Sequence, residues 1–191
     1  GVIKIAEEYS GTDAANQANY MAGIAYLNTG KYAEAITSLE KFSSKDVTLS
    51  ALAIGAIGDA YAQQNKQKEA LEYANKALQV FLNLKDDEQI AGAYINVGNC
   101  YFNQYDANNA LDNYKKAEKI SIRTNNLENL SFVYNNIGSV YIEDKGDTIQ
   151  GVNYLKKSID IRTQLKDLNG LIFSYNNIAN IYIGLKKFDL A

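Results

Sequence analysis

Histidine and cysteine, two residue types that often perform catalysis, are nearly missing from this chain of 191 residues. It contains no histidine and one cysteine, Cys100. Nucleophilic catalysis by Ser-His or Cys-His pairs, and zinc binding by clusters of histidine and cysteine, require those residues. The sequence therefore predicts a protein that is not an enzyme and that binds no metal and no cofactor. Cys100 is predicted to be a small buried side chain, because no second cysteine or histidine can partner it.

Composition and charge narrow the class of partner. Hydrophobic residues make up 47% of the chain and charged residues 21%, with a net charge of -3, which is typical of a folded protein and not of low-complexity disorder. No stretch of about 20 apolar residues occurs, so no membrane insertion is expected. A pI near 5.1 without a block of basic residues argues against nucleic acid as a partner. The expected partner is a protein or a peptide.

A small residue followed three positions later by tyrosine recurs along the chain. Successive small residues are 35, 40, 40 and 41 residues apart, which indicates that one supersecondary unit is repeated. Around them the apolar residues fall at i, i+3, i+4 and i+7, as in a helix, and a second helical stretch follows in each copy. Each repeat is therefore predicted to be a helix pair, with its small residue at a close helix contact and its tyrosine in the core. The pairs are Gly23/Tyr26, Gly58/Tyr61, Gly98/Tyr101, Gly138/Tyr141 and Ala179/Tyr182.

Short polar segments separate the predicted helices. Inside the repeats they occur at 28–30, 64–65, 104–106 and 144–147, and their glycine and asparagine residues suit the left-handed residue that ends a helix. Between repeats, an aspartate or asparagine stands twelve residues before the next small residue. Its side-chain oxygen could accept an unpaired amide hydrogen, which predicts a turn or a helix N-cap. These residues are Asp46, Asp86, Asn126 and Asp167.

The repeat resembles the tetratricopeptide repeat. The shared pattern is a small residue at repeat position 8, tyrosine at 11, alanine at 20, tyrosine or an apolar residue at 24 and alanine at 27. No copy has the consensus tryptophan or proline. The third copy matches the pattern throughout, with Gly98, Tyr101, Ala110, Tyr114 and Ala117. The 40-residue period over residues 80–191 resembles the variant of Pins-type adaptors, kinesin light chains and bacterial Rap-type regulators, whereas residues 1–78 resemble bacterial envelope-associated repeat proteins.

This resemblance implies an all-α fold, a right-handed α-solenoid of helix-turn-helix repeats that forms a single array over residues 1–191. We expect the end of a preceding helix at residues 1–10 and a last repeat that is truncated. A bacterial cytoplasmic and a periplasmic location both fit, and a single cysteine does not choose between them. The expected repeats cover residues 12–45, 46–85, 86–125, 126–166 and 167–191.

The resemblance also implies that the first helices line a concave groove. Five segments of those helices carry no lysine or arginine and only two charges, Asp59 and Glu143, so they lack the paired cations that would clamp a carboxylate. The segments are 16–28, 51–63, 91–103, 131–143 and 172–184. Amide side chains could instead hydrogen-bond an extended peptide backbone, and aromatic side chains could form apolar pockets. The predicted groove residues are Tyr20, Asp59, Asn99, Phe132, Asn135, Ser139, Phe173, Asn176 and Asn180.

The amides have a second interpretation. Asparagine is abundant throughout the chain, so an asparagine-rich face could be an ordinary solvated surface. In the pairs Asn135-Asn136 and Asn176-Asn177, one amide could face the groove while the other bonds to a neighbouring helix. About half of these amides are then structural in role, because buried backbone and side-chain groups need hydrogen-bond partners.

The favoured function is a non-catalytic protein-protein interaction scaffold that binds an extended peptide or a partner helix in the groove. One alternative is a sensory or regulatory module of a larger signalling protein. Another is a self-assembling repeat array, a homo-oligomer formed through an unfinished carboxyl-terminal end. Asp59 and Glu143 belong to non-adjacent repeats and are too far apart to act as acid and base at one bond.

Overall fold

A computed structural model of the chain describes residues 12–143 and 145–188. Every regular element within these ranges is an α-helix, which confirms the predicted all-α class. The helix expected at residues 1–10 and the final residue, Ala191, lie outside the described residues. The helices are α1 (Asp13–Asn28), α2 (Tyr32–Glu40), α3 (Val47–Gln63), α4 (Gln67–Leu84), α5 (Asp87–Asn103), α6 (Ala107–Arg123), α7 (Leu127–Glu143), α8 (Thr148–Leu165) and α9 (Leu168–Phe188).

The helices alternate as the repeat pattern predicts. The first helices, α1, α3, α5, α7 and α9, carry the recurrent small residue, and the second helices are α2, α4, α6 and α8. Helix α2 has only 9 residues, against 18 in α4, in keeping with the shorter first period. Helix α9 has 21 residues, against 17 in α3, α5 and α7. It therefore continues through the segment that corresponds to the turns after the other first helices.

Left-handed residues end the first helices where the polar turns are predicted. Gly30 has a φ of 76°, Asn65 of 61°, Tyr105 of 59° and Gly146 of 67°. Glycine adopts this conformation without a steric penalty from Cβ, and asparagine adopts it more readily than most other residues. The predicted turns are therefore confirmed at these four positions.

The four predicted caps between repeats are also confirmed. In each, the side-chain oxygen accepts a hydrogen bond from the backbone N–H three residues later, which satisfies a donor that has no partner within the helix. The oxygen-to-nitrogen distances are 3.1 Å from Asp46 to Leu49, 3.2 Å from Asp86 to Gln89, 2.9 Å from Asn126 to Asn129 and 2.9 Å from Asp167 to Gly170.

The helices form two compact units, Gly1–Cys100 and Tyr101–Ala191. In the first unit, α1 packs on α2 and α3, and α3 packs on α4. Leu39 of α2 lies in the buried core of that unit. In the second unit, α7 packs on α6 and α8, and α8 packs on α9. Its buried side chains include Ile137 and Leu155.

The recurrent glycines permit close contact between the two helices of a repeat. A Cβ atom added to Gly138 of α7 would lie 2.9 Å from Cγ of Leu155 and 3.0 Å from the carbonyl oxygen of Gly151. A Cβ atom added to Gly58 of α3 would lie 3.2 Å from Cβ of Tyr73. Cores packed to this density have no room for a methyl group. The predicted packing role of these glycines is confirmed.

The prediction for the recurrent tyrosines is only partly right. Tyr26, Tyr61, Tyr101 and Tyr141 are half-buried and not enclosed, and the side chain of Tyr182 is not among those described. The ring of Tyr141 stacks on that of Tyr154, with centroids 5.7 Å apart. A buried tyrosine must find a partner for its hydroxyl group, and a place at the edge of a helix contact leaves that group in water.

Candidate binding surfaces on the first helices

In the second unit, the predicted groove residues lie on α7 and α9 with the same helical spacing. Phe132, Asn135 and Ser139 of α7 occupy positions i, i+3 and i+7, as do Phe173, Asn176 and Asn180 of α9, so each set shares a helix face. Phe132 is 44% exposed and Phe173 57% exposed. Asn176 and Asn180 are exposed, and Ser139 is partly exposed. Two aromatic rings and two amides are therefore open to a ligand.

The ring of Phe132 packs against a buried cation. The guanidinium carbon of Arg162, on α8, lies 5.2 Å from the ring centroid, within the range of a cation–π contact. Arg162 is 1% exposed, and burial lowers the pKa of its guanidinium, while the charge of Asp167 opposes that change. A ring that is already ordered loses less conformational entropy when a ligand packs on it.

Asn135 fits the second interpretation of the paired amides, in which an amide bonds to a neighbouring helix. It is 4% exposed, and its Oδ1 accepts a hydrogen bond of 3.3 Å from Nδ2 of Asn177 and a longer one of 3.5 Å from the hydroxyl of Ser174, both on α9. These bonds join α7 to α9. Of the predicted groove amides in the second unit, Asn176 and Asn180 are therefore available to a peptide, whereas Asn135 and its partner Asn177 connect the helices.

In the first unit, three predicted residues lie on three first helices. Tyr20 of α1 is half-buried, and its ring packs against Phe42 with centroids 5.0 Å apart. Asn99 of α5 is partly exposed. Asp59 of α3 is exposed. Tyr20 thus helps to close the core of its own unit, and Asp59 is the most accessible of the three.

The pKa values of Asp59 and Cys100 are raised above those of the free side chains. Protein atoms around the Asp59 carboxyl displace enough water to raise its pKa from 3.8 to about 6, although the side chain keeps access to solvent. That access limits the energetic cost of ionising the carboxyl. Burial, with a smaller effect of the Asp59 charge, raises the pKa of Cys100 to about 11. The thiol is buried, as predicted, and it stays un-ionised at neutral pH.

The raised pKa of Asp59 predicts a loss of stability as the pH rises. Between 3.8 and about 6 the folded chain holds this proton more tightly than the unfolded chain, so ionisation disfavours the folded state above that window. Asp59→Asn is expected to melt at a higher temperature than the wild type at pH 7, with the difference shrinking below pH 4. Thermal unfolding followed by circular dichroism measures this. Asp59→Glu, which keeps a carboxyl, should retain the decline; a pH-independent difference for Asp59→Asn would contradict the assignment.

The prediction from first helices alone missed Arg162. This residue lies on a second helix, eleven residues after Gly151, where the preceding repeat has Ser121, eleven residues after Ala110. The sequence signal that could have identified Arg162 is an arginine at a repeat position where the preceding copy has a small residue. Residues 131–143 of α7 and 172–184 of α9 contain no lysine or arginine, but the Arg162 guanidinium lies against the Phe132 ring.

Helix α9 also exposes apolar side chains that are not among the predicted groove residues. Leu168 is 72% exposed and Ile172 61% exposed. Large apolar groups in water favour association when they form a continuous patch. The homo-oligomer that the sequence suggests remains a prediction.

Two further properties concern metal and membrane binding. Within residues 12–143 and 145–188, no three histidine, cysteine, aspartate or glutamate side chains come together as a metal site would require. None of the helices in those ranges combines the length and the apolar character that crossing a bilayer demands.

Comparison with known proteins supports the repeat assignment. The tetratricopeptide repeat family model matches residues 17–44, 51–83 and 133–164. No curated protein sequence matches the chain. The crystal structure of MamA has a TM-score of 0.65 and 24% identity, covering 86% of this chain and 89% of that chain.

Two other solved structures with this fold belong to larger proteins. A Rap protein complexed with competence and sporulation factor has a TM-score of 0.82 and 16% identity, covering 96% of this chain and 53% of that chain. A signal transduction ATPase (STAND) protein with a tetratricopeptide repeat sensor, PH0952 from Pyrococcus horikoshii, has a TM-score of 0.77 and 18% identity, covering 98% of this chain and 29% of that chain. This chain thus spans about half of the Rap protein and less than a third of the ATPase.

Identities this low establish similarity of fold and not of activity. The helix pairs, the glycines at their contacts and the three matched segments agree with one another. The solenoid class of the fold is confirmed. Residues 17–44, 51–83 and 133–164 of this chain are therefore tetratricopeptide repeats, as the repeat pattern predicts.

Proposed function

We propose that this chain is a non-catalytic interaction scaffold whose second unit binds an extended peptide along α7 and α9. Proteins built from tetratricopeptide repeats serve as protein-interaction scaffolds, and that class applies here. The observation that carries the finer proposal is the pairing of exposed rings with exposed amides. Phe132 and Phe173 are accessible, as are Asn176 and Asn180.

This combination suits an extended polypeptide. An asparagine side chain offers both a donor and an acceptor, so it can bond the N–H and C=O groups of a peptide whatever its sequence. Exposed rings add affinity for apolar or aromatic side chains of the ligand. The absence of lysine and arginine from residues 131–143 and 172–184 disfavours a free carboxylate terminus as the anchor there. An internal segment of a partner is the preferred ligand.

The comparisons are consistent with a binding role. The Rap structure contains competence and sporulation factor, so a protein of this fold can hold another molecule. That complex belongs to a protein with 16% identity to this chain, and it supports the proposal only by showing that the fold is suited to recognition.

Replacing the two exposed amides tests the proposal. The probe is a peptide selected on the wild-type chain from a randomised display library and labelled for fluorescence anisotropy. The double variant Asn176→Ala/Asn180→Ala is expected to weaken binding about tenfold, because each lost hydrogen bond contributes roughly 0.5–1.5 kcal/mol. The helical circular dichroism signal should not change, since both side chains are exposed.

The matched control removes two exposed asparagines from second helices, with Asn83→Ala/Asn153→Ala. This variant should bind the peptide as tightly as the wild type. Equal affinity in all three proteins would rule out the amide contribution. A selection that yields no peptide binder at all would overturn the proposed function itself.

A second candidate function is that of a regulatory sensor. The structural similarity to the STAND protein with a tetratricopeptide repeat sensor favours it. A sensor must change conformation when it binds, whereas a scaffold need not. Hydrogen exchange of the whole chain, with and without the selected peptide, separates the two. Protection confined to α7 and α9 supports the scaffold, and changes spread over both units support the sensor.

A further inference from the structure

A line of polar side chains crosses the interior of the second unit. It consists of Asn135 on α7, Arg162 on α8, and Ser174 and Asn177 on α9, and we call it the polar seam. The Arg162 guanidinium donates a hydrogen bond of 3.0 Å to the hydroxyl of Ser174. Longer contacts of 3.5 Å and 3.3 Å then join Ser174 and Asn177 to Oδ1 of Asn135. Three helices of two repeats thus share one connected set of hydrogen bonds.

The same guanidinium holds the beginning of α9. It donates to the carbonyl oxygen of Gly170, and its Nε lies 4.0 Å from Oδ2 of Asp167. Asp167 in turn caps α9 through the N–H of Gly170. A Cβ atom at position 170 would lie 2.9 Å from Cδ of Arg162 and would collide with the Asp167 carboxylate. The first turn of α9 is therefore shaped around Arg162.

The preceding repeat lacks three of these four side chains. Counted from the recurrent small residues, Ile95 takes the place of Asn135, Ser121 that of Arg162 and Val133 that of Ser174, whereas Asn136 takes the place of Asn177. Ile95, Ser121 and Val133 are buried. Helix pairing in this fold therefore does not by itself require a charge at the position of Arg162 or an amide at the position of Asn135.

A buried charge is costly, and replacing such a group by apolar residues of similar volume is often neutral or stabilising. Hydrogen bonds, however, are directional, and a shift of one helix along another breaks them, whereas apolar contacts tolerate sliding. Helix α9 needs such a constraint, because Ile172, Phe173 and Tyr175 are exposed and contribute little to its packing.

We propose that the polar seam fixes the register of α9 on α7 and α8, and thereby the spacing between Phe132 on α7 and the exposed residues of α9. Arg162 and Asn135 are positioning residues and not ligand contacts. The consequence for peptide binding rests on the proposed function, whereas the register of α9 can be measured without any ligand.

The test replaces the polar seam by apolar side chains, with Asn135→Ile, Arg162→Met and Ser174→Val. Spin labels attached to Glu128→Cys on α7 and Ala179→Cys on α9, in a Cys100→Ala background, report the distance between the two helices by pulsed electron resonance. The wild-type seam should give one narrow distance distribution. The apolar seam is expected to shift it or to broaden it about two-fold, with a melting temperature equal to or above that of the labelled parent.

Ser158→Ala is the matched control, because the Ser158 hydroxyl makes a buried hydrogen bond of 2.8 Å to the carbonyl oxygen of Ser131 and joins only α7 and α8. It should lower stability without changing the distance distribution. An unchanged distribution in the apolar-seam variant overturns the proposal. If that variant fails to fold, Ser174→Ala takes its place, and the same two outcomes decide.

Peptide affinity then separates this inference from the proposed function. With the library-selected peptide as probe, the apolar-seam variant should bind at least several-fold more weakly than Ser158→Ala. A changed distance distribution with unchanged affinity would support the register and contradict the link to binding. If the apolar-seam variant and Ser158→Ala gave the same distance distribution, the inference would be overturned. The proposed binding surface on α9 would not be affected by that result.

Discussion

Replacing Gly138 by alanine is expected to lower the free energy of unfolding by about 2 kcal/mol, a large effect for one methyl group. The new Cβ would lie 2.9 Å from Cγ of Leu155 and 3.0 Å from the carbonyl oxygen of Gly151. The Leu155 side chain is fully buried and cannot turn away freely, and the second contact is with backbone. The crossing of α7 and α8 must therefore widen. Urea unfolding followed by circular dichroism measures the change.

Gly92 provides the matched control, since it lies inside α5 with no atom within 4 Å of a Cβ at that position. Gly92→Ala should stabilise the chain by about 0.5–1 kcal/mol, because alanine loses less backbone entropy than glycine in a helix. Both variants add one methyl group to a helical glycine, and they differ only in what surrounds that methyl group. If Gly138→Ala proved as stable as Gly92→Ala, the close contact between α7 and α8 would be wrong.

Removing both exposed rings, with Phe132→Ala/Phe173→Ala, is expected to weaken binding of the selected peptide about 100-fold. Aromatic side chains that are partly ordered before binding often dominate the affinity of an interface. The Phe132 ring already rests on the Arg162 guanidinium, so little side-chain entropy remains to be lost there. Fluorescence anisotropy titration gives the dissociation constants.

The control for the rings removes two apolar side chains of second helices that are at least as exposed, with Ile122→Ala/Ile149→Ala. This variant should retain wild-type affinity. Because Phe132→Ala also uncovers Arg162, the melting temperature of the ring variant must be compared with that of the control. A folded ring variant with wild-type affinity would place the ligand elsewhere on the chain.

The architecture could be predicted in detail because its signals are local and repeated. The spacing from Gly58 to Gly98 and on to Gly138 indicates one unit used several times, and the helical periodicity within each copy identifies its two helices. The caps at Asp46 and Asp86 were equally predictable, since a cap bonds to an amide only three residues away.

The binding surface could be predicted only in part. Phe173, Asn176 and Asn180 are exposed on one face of α9, as their spacing suggests. Asn135 has the same repeat position as Asn176, yet it is buried against α9. Sequence spacing assigns a side chain to a helix face but does not say which neighbouring helix covers that face.

The sequence by itself determined the class of the chain, an array of helix pairs with glycine at their contacts and no histidine for catalysis. Only the tertiary structure decided which amides remain open to a ligand, that Arg162 lies beneath Phe132, and that the Asp59 carboxyl holds its proton more tightly than usual. The physical reason is the range of the interactions. Helix periodicity and capping act within a few residues along the chain, whereas burial, desolvation and hydrogen bonds between helices depend on groups that the chain brings together only when it folds.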